Sequence, residues 1–438
     1  MTTKPIAKLF LVLATVAVFS LPLGAGAGAV GTGKPEDVGM SSERLARIKE
    51  AVQRQIDAGA VPGAVTLVAR RGRIVHFEAH GLNDVEAKKA MPKDAIFRLA
   101  SMSKPITAVA VMMMIEEGKV RLSDPVSRFI PEFKQATVAV PKPGAAGAAP
   151  VAGGGRGAGR GGPPPDVDLV ASRAITIRDL LTHTSGLMTG GPGQQTAPAP
   201  ARQRTDDDTL ATYIPRLGAV ALDYPPGTLW RYSGLAGFDV LSRVVEVASG
   251  MPFDRFLQQR LFDPLGMKDT GFTITPARTP RMAILYGRAQ GGGFTRQANQ
   301  GGLSSATYFA GSGGLITTAE DYLQFAQMLV NGGELNGKRY LGTKTVELMA
   351  SNHTGELVNG QFGRPARGMG FGLGVQVIED PVAADMRQSK GSWGWAGAYG
   401  TNIVIDPQER LVTIIMMQTS TPQLQRDFDN AVMQAIID

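Results

Sequence analysis

Apolar residues recur at spacings of three and four near both ends of the chain, a pattern typical of amphipathic helices. The first apolar stripe consists of Leu45, Ile48, Val52 and Ile56. The second consists of Leu424, Phe428, Val432 and Ile436. Ser41 precedes the first stripe and is a good N-cap residue. The pattern therefore predicts a helix over residues 41–59 and a closing helix at the C-terminus.

Strand-like segments adjoin both of these predicted helices. Residues 63–81 are rich in Val and other β-formers and contain a turn at 70–73, which predicts two paired strands. The C-terminal strand-like segments are 371–378, 402–405 and 411–418. The middle of the chain has mainly helical periodicity. We therefore predict an α+β fold whose antiparallel sheet is built from both chain ends and flanked by helices, with a mainly helical region inserted between.

In residue terms, we expect the sheet part at about 41–115 and 365–438, and the helical region at about 116–364. Residues 30–438 are expected to form a single catalytic domain. Residues 136–168 differ in composition because Ala, Gly and Pro dominate them. Such a segment buries too little apolar surface to fold, so the sequence predicts a disordered insertion there.

The N-terminus has the pattern of a secretory signal. Lys4 and Lys8 precede an apolar run over residues 9–23, and small residues over 25–29 offer cleavage sites. We predict a signal peptide over residues 1–29 and export from a bacterial cell, to the periplasm or the medium. The alternative, an uncleaved anchor, is disfavoured because the run is short for a bilayer span. No later segment is long enough, so no stable membrane insertion is expected after cleavage.

Composition excludes several function classes. The chain has no cysteine, so a thiol nucleophile and disulfides are excluded. Its formal net charge of +7 is mild for 438 residues, and no basic run is interleaved with aromatic residues, which disfavours nucleic-acid binding. No H-E-x-x-H motif is present, and His76 and His80 on one strand would be about 13 Å apart. The sequence therefore predicts no metal and no cofactor.

The chemistry centres on an S-x-x-K pattern, Ser101 to Lys104. Residues three apart on a helix lie on one face, about 5–6 Å apart at Cβ, so a hydroxyl and an amine could share a proton there. A G-x-S-x-G elbow is lacking, since the nearest segment, residues 310–314, has no leading glycine. His183 lies in a Thr/Ser/Gly loop and is interpreted as a structural residue.

Two further elements could complete an acyl-transfer site. Tyr232 is a candidate proton acceptor, because a nearby ammonium would stabilise its phenolate. The Gly-rich segment 391–401 runs into a strand, where small residues let a substrate lie close to the backbone. Taken alone, Tyr232 is better interpreted as a partly buried tyrosine, and the Gly-rich segment as an ordinary turn before a strand.

Together these residues resemble the serine β-lactamase-like superfamily. The nearest branch comprises class C β-lactamases, D-alanyl-D-alanine carboxypeptidases and family VIII esterases. The resemblance follows the order of the chain through residues 97–104, 175–187, 226–234, 262–272, 313–321 and 393–401. It implies a β-lactamase/transpeptidase-like fold, with Ser101 as the acyl-forming nucleophile, Lys104 as its proton partner and Tyr232 as the tyrosine of the Y-x-N element.

This chain departs from that pattern at two substrate-binding positions. Gly234 stands where the lactamases have the asparagine of Y-x-N, and Trp395-Ala396-Gly397 stands in place of K-T-G. The W-x-G sequence is similar to the family VIII esterases, and it lacks the lysine that helps to bind a substrate carboxylate. By the same resemblance, the oxyanion donors would be the backbone N–H groups of Ser101 and Ala398.

The sequence thus predicts a serine hydrolase that cleaves small esters through an acyl-enzyme, with weak β-lactam turnover as a side activity. Which of the lysine and the tyrosine acts as base in each step stays open, because coupled groups share their protons. One alternative is a D,D-peptidase, D-amino-acid amidase or β-lactamase acting on peptidoglycan-like substrates. Another is a non-catalytic relative that binds muropeptide or a protein.

Overall fold

The computed structural model of the chain describes residues 30–143, 166–298, 307–358 and 367–438. The predicted signal peptide, residues 1–29, lies outside the described residues. Within the described ranges, no helix is both long enough and apolar enough to cross a bilayer.

The β-strands of the described residues are numbered in chain order. They are β1 (Gly63–Arg70), β2 (Arg73–Asp84), β3 (Lys89–Ala90), β4 (Phe97–Arg98), β5 (Thr137–Pro141), β6 (Val167–Ala171), β7 (Tyr286–Arg288), β8 (Phe294–Arg296), β9 (Ile316–Thr317), β10 (Glu334–Leu335), β11 (Lys338–Arg339), β12 (Met369–Phe371), β13 (Gln376–Ile378), β14 (Trp393–Ala396), β15 (Asn402–Asp406) and β16 (Leu411–Met416).

The α-helices alternate with these strands and dominate the middle of the chain. They are α1 (Ser42–Leu45), α2 (Arg47–Asp57), α3 (Lys104–Glu116), α4 (Ile177–Leu181), α5 (Pro192–Thr196), α6 (Ala199–Arg202), α7 (Leu210–Tyr213), α8 (Ala236–Ser249), α9 (Phe253–Leu257), α10 (Asp263–Leu265), α11 (Ala319–Val330), α12 (Thr343–Met349) and α13 (Pro422–Met433).

The main sheet joins the two ends of the chain. It has eight strands in the order β12-β13-β14-β15-β16-β1-β2-β3. The junction is the antiparallel pair β1–β16, in which Val65 lies opposite Met416 and Arg70 opposite Leu411. Every pair in this sheet is antiparallel. The predicted α+β fold, with a sheet built from both chain ends and helices inserted between, is confirmed.

The strand β1 is buried on both faces, which explains its continuous apolar composition. Val65 and Leu67 face the large core that contains α3 and α8, whereas Ala64 and Val68 face a second core. That second core is formed with the terminal helices α1, α2 and α13. The predicted N-terminal helix begins where expected, because the Ser41 hydroxyl accepts a hydrogen bond from the Arg44 N–H at 3.3 Å.

The ends of the predicted disordered insertion 136–168 are ordered, which corrects its boundaries. Strand β5 pairs with β6 in antiparallel register, with Thr137 opposite Ala171 and Pro141 opposite Val167. Val138 and Ala139 are buried, so this hairpin is anchored to the core through its first strand. The Ala/Gly/Pro-rich composition of the segment obscured the short Val-containing stretch 137–141 that forms β5. Residues 144–165 lie outside the described part of the chain.

Candidate active site

Ser101 lies in a 3₁₀ turn, Ala100–Ser103, which continues directly into helix α3. The backbone entering this turn is fixed by the pair β4–β9 and by a hydrogen bond from the Leu99 N–H to the Leu315 carbonyl at 2.9 Å. Ala100, the residue before Ser101, has a left-handed φ of 46°. Left-handed backbone is costly for a residue with a Cβ and persists where the surroundings hold it. The position of Ser101 is therefore set by the fold.

Lys104 is completely buried one turn after Ser101. Its Nζ lies 3.2 Å from the Ser101 Oγ and donates to the carbonyls of Gly234 and Ser312, each at 2.8 Å. An ammonium has three N–H donors and no acceptor, so these three partners match its capacity. The arrangement holds the Lys104 Nζ against the Ser101 hydroxyl.

Asp239 on α8 holds the Ser312 peptide that binds Lys104. The sequence motifs did not identify this residue. Its carboxylate accepts hydrogen bonds from the Ser312 N–H at 3.0 Å and the Tyr308 hydroxyl at 2.8 Å. It thereby positions the peptide whose carbonyl binds Lys104. Burial raises the pKa of Asp239, whereas the Lys104 charge opposes that rise. The sequence signal was a single acidic residue among the buried, mainly apolar residues at the start of α8.

Tyr232 approaches Ser101 from the other side. The two hydroxyl oxygens are 2.7 Å apart and share a hydrogen bond. The tyrosine side chain is 8% exposed, and its ring lies 4.6 Å from the His183 ring and 5.6 Å from the Trp395 ring, between centroids. The structure therefore brings the three predicted catalytic side chains, those of Ser101, Lys104 and Tyr232, into one cluster.

His183 lies behind Tyr232 and does not reach Ser101. It is fully buried, and neither ring nitrogen has a hydrogen-bond partner in the described part of the chain. Burial, followed by the nearby Lys104 charge, lowers the pKa of His183 well below its ordinary value. Its carbonyl accepts a hydrogen bond from the Arg231 N–H at 3.1 Å, which holds the backbone next to Tyr232. These contacts fit the structural interpretation of this residue.

Strand β14 and the turn after it lie against the Ser101 segment. A Cβ at Gly397 would be 2.1 Å from the Leu99 carbonyl oxygen, so only glycine fits this approach. The Thr401 hydroxyl donates to the same carbonyl at 3.1 Å. The Gly397 N–H binds the Thr401 carbonyl at 2.7 Å and closes a turn that contains Ala398. The predicted W-x-G segment therefore lies beside the nucleophile segment.

An aromatic wall borders the Ser101–Lys104–Tyr232 cluster. It consists of the aromatic side chains of Trp230, Tyr232, Phe371 and Trp395, with Val358 packed against them. The Trp395 ring is 5.3 Å from that of Phe371 at an interplanar angle of 88°, an edge-to-face contact. Ala396 on β14 pairs with Asn402 and is half-buried. A Cβ at Gly234 would be 3.9 Å from the Tyr232 Cε1, so the missing asparagine leaves open space.

Within the described ranges, the only group of three side chains at metal-ligand spacing is His76, Glu78 and His80, on strand β2. Their ligand atoms all lie within 4.8 Å of one another. The predicted separation of about 13 Å between His76 and His80 assumed the ordinary rise along a strand, and it is wrong for the nitrogens of the two side chains. The two imidazole rings lean toward each other, with centroids 6.4 Å apart.

Comparison with known proteins places the chain in a family. The Beta-lactamase family model matches residues 48–436. Protein Rv1367c of Mycobacterium tuberculosis (strain ATCC 25618 / H37Rv) is 33% identical over 395 residues, which is 87% of this chain and 92% of that protein. Esterase EstB of Burkholderia gladioli is 29% identical over 416 residues, which is 89% of this chain and 94% of EstB.

A solved structure shows the same architecture. EstCE1, described as a hydrolase with promiscuous acyltransferase activity, superposes with a TM-score of 0.69 at 28% identity. The superposition covers 90% of this chain and 99% of EstCE1. The resemblance inferred from the sequence motifs is thus confirmed by the family match and by the fold. This chain belongs to the beta-lactamase family.

Proposed function

We propose that the protein is a serine esterase that cleaves small, neutral esters through an acyl-enzyme on Ser101. The observation that carries this proposal is the position of the Ser101 Oγ, 2.7 Å from the Tyr232 hydroxyl and 3.2 Å from the Lys104 Nζ. The aromatic wall beside it supports an ester substrate. The relative EstB, an esterase that is 29% identical to this chain, adds further support.

In the proposed acylation, Tyr232 enters as the phenolate: it takes the Ser101 hydroxyl proton and becomes the neutral phenol while the Ser101 Oγ attacks the ester carbonyl carbon. The tetrahedral intermediate collapses, the bond to the alkoxy oxygen breaks, and Tyr232 returns the proton to the leaving alcohol. Water then attacks the acyl-enzyme, and Tyr232 transfers one water proton back to the Ser101 Oγ as the acid leaves. The proton balance closes over each turnover.

Lys104 is proposed to act as a fixed positive charge in both steps. Its three N–H donors are matched by the Gly234 carbonyl, the Ser312 carbonyl and the Ser101 hydroxyl. We assign the proton-accepting role to Tyr232 and treat Lys104 as an ammonium, which has no lone pair to accept a proton. The charge stabilises a phenolate on Tyr232 and an alkoxide on Ser101 electrostatically.

The oxyanion that forms during attack needs hydrogen-bond donors. We infer that the backbone N–H groups of Ser101 and Ala398 supply them. The supporting contacts are those that bind the Gly397 turn to the Leu99 carbonyl, two residues before Ser101. A rigid link between the two amides would hold both N–H groups in place before the reaction, so that they need not move as the oxyanion forms.

Neutral esters are favoured because residue 395 is a tryptophan, which has no positive charge to bind a substrate carboxylate. A hydrogen bond to a charged group is worth about 1.5–3 kcal/mol, so a substrate carboxylate should bind at least tenfold more weakly here. The test compares hydrolysis of p-nitrophenyl butyrate with that of a D-Ala-D-Ala peptide and of nitrocefin. Ester turnover that exceeds both supports the proposal. Peptide turnover without ester turnover would instead establish the D,D-peptidase alternative.

Replacing Tyr232 by Phe should lower kcat/KM for the ester by about 10²- to 10⁴-fold, because the proton acceptor is lost. The ring contacts with His183 and Trp395 remain, so the thermal midpoint should change little. Stopped-flow acylation together with thermal unfolding would separate the two effects. Tyr340→Phe, in the core near β10 and β11, is the matched control and should keep its activity. Equal rates in wild type and Tyr232→Phe would contradict the proposed role.

Replacing Trp395 by Lys should shift selectivity toward substrates that carry a carboxylate. The ratio of nitrocefin to p-nitrophenyl butyrate turnover should rise about tenfold or more, following the value of one charged hydrogen bond. Trp395→Met is the matched control, because it opens similar space with an unbranched neutral side chain. If both variants raise the ratio equally, cavity size rather than charge sets the preference, and this part of the proposal is wrong.

We also infer that residues 30–438 act as one exported catalytic domain. The family match over residues 48–436 supports a single domain. Support for export comes from the N-terminal sequence, with Lys4 and Lys8 before an apolar run. Fractionation of a bacterial culture that expresses the full chain, with N-terminal sequencing of the mature protein, would test both the location and the cleavage site.

A further inference from the structure

Strand β2 carries His76, Glu78 and His80 at alternate positions, so the three side chains share one face of the sheet. In the pairing with β1, Glu78 lies directly opposite Thr66, and the two histidines flank it. Ala64 and Val68, on the same face of β1, pack into the core formed with α2 and α13. This face is opposite to the one that packs against α3, so the cluster is separate from the Ser101 site.

The two imidazoles converge on a single oxygen. The Thr66 Oγ1 lies 2.8 Å from the His76 Nε2 and 2.9 Å from the His80 Nε2. The rings are stacked at an interplanar angle of 16°. A hydroxyl has only one proton to donate, so it cannot donate to both nitrogens. At least one histidine therefore donates its Nε2 proton to the Thr66 Oγ1.

The spacing of the ligand atoms is close to that of a metal site. All three ligand atoms lie within 4.8 Å of one another. In a tetrahedral zinc site with bonds of about 2.0–2.1 Å, ligand atoms are about 3.3–3.4 Å apart. Small side-chain rotations on one rigid strand would close this difference. Two imidazoles and a carboxylate are a ligand set that zinc commonly takes, with a fourth position left for water.

The cluster is largely shielded from solvent. Thr66 is completely buried and His80 is 8% exposed, whereas His76 and Glu78 are half-buried. Neutral imidazole and ionised carboxylate are the forms that bind a metal, so the Glu78 carboxylate would supply the negative charge of the site.

We propose that His76, Glu78 and His80 form a binding site for Zn²⁺ or a similar divalent transition metal on strand β2. The two Nε2 atoms and one Glu78 carboxylate oxygen would bind the ion. Each histidine that donates its Nε2 proton to Thr66 would carry that proton on Nδ1 in the metal-bound form, so no proton is lost by the ring. The site is independent of the esterase proposal, since it lies on the other face of the sheet.

The experiment uses the full mature chain with any affinity tag removed, because a tag would bind the metal itself. Isothermal titration with Zn²⁺ should show one strong site per chain. His76→Ala and Glu78→Gln should each lower the Zn²⁺ affinity by about 100-fold or more. This loss exceeds the 10- to 100-fold loss of affinity that is typical when a residue hydrogen-bonded to a metal ligand is replaced. His353→Ala is the matched control and should bind as wild type does, since His353 contacts Arg178 and the Leu348 carbonyl instead.

A second measurement does not depend on how well the variants fold. Co²⁺ bound by wild type at this site should give the intense visible absorption of a four-coordinate ion, and Zn²⁺ should displace it. Zinc should also raise the thermal midpoint of wild type but not of Glu78→Gln, because only ligands of the folded state stabilise it. A weak six-coordinate cobalt spectrum, or zinc affinity equal in wild type and Glu78→Gln, would overturn the proposal.

Discussion

Ser101→Ala is expected to lower ester turnover on the order of 10⁴-fold or more, because removal of a nucleophile eliminates the covalent route. In the structure, the Ser101 hydroxyl is the shared partner of the Tyr232 hydroxyl and the Lys104 ammonium. No other group in that cluster offers an oxygen in the same position. Alanine is small and leaves the 3₁₀ turn in place, so the protein should fold normally.

The measurement is covalent labelling by a fluorophosphonate, followed by peptide mass mapping. Wild type should carry the label on Ser101, and Ser101→Ala should carry none. The matched control is Ser103→Ala, in the same S-x-x-K segment. The Ser103 side chain is completely buried and accepts a hydrogen bond from the Leu315 N–H at 3.3 Å, away from the cluster. Label that persists in Ser101→Ala would identify a different nucleophile.

Lys104→Met is expected to lower kcat/KM for the ester on the order of 10³-fold, a loss comparable to that of an electrostatic stabiliser of the transition state. Methionine is of similar length but carries no charge, so the phenolate and the attacking oxygen lose their counter-charge. The carbonyls of Gly234 and Ser312 also lose their donor. Each unsatisfied buried acceptor costs about 1–3 kcal/mol, so the thermal midpoint should also fall.

Because activity and stability should both fall, they must be measured separately. Pre-steady-state acylation at a temperature where the variant is fully folded isolates the chemical step. Lys338→Met is the matched control, since Lys338 is exposed on β11 and should tolerate the change in both respects. A loss of activity that only follows the loss of folded protein would show that Lys104 has a structural role alone.

The sequence predicted the terminal elements well because their patterns are local. The stripe through Ile48 and Val52 needs only a 3.6-residue period, and Ser41 marks its start. The Ser101 segment was recognised because serine and lysine three residues apart need only one turn of helix. The family and the sheet built from both chain ends were predicted correctly for the same reason, since several local motifs occur in a fixed order.

Features that depend on distant contacts were missed. Asp239 supports Lys104 only through the Ser312 peptide, 73 residues further along the chain. The convergence of His76 and His80 depends on Thr66 from the neighbouring strand, whereas distances along one strand suggested separation. The order in strand β5 arises from its pairing with β6 and from burial of Val138, neither of which is visible in local composition.

The pairing of β1 with β16 also governs when the protein can fold during synthesis. Strand β1 is complete by residue 70, whereas its partner over Leu411–Met416 is synthesised only 341 residues later (411 − 70). Until then, one edge of a fully buried apolar strand has no neighbour, and such edges promote aggregation. Pairing over so long a separation in sequence also slows folding. The nascent chain therefore has to remain unfolded, or be held by a chaperone, until Leu411–Met416 has been synthesised.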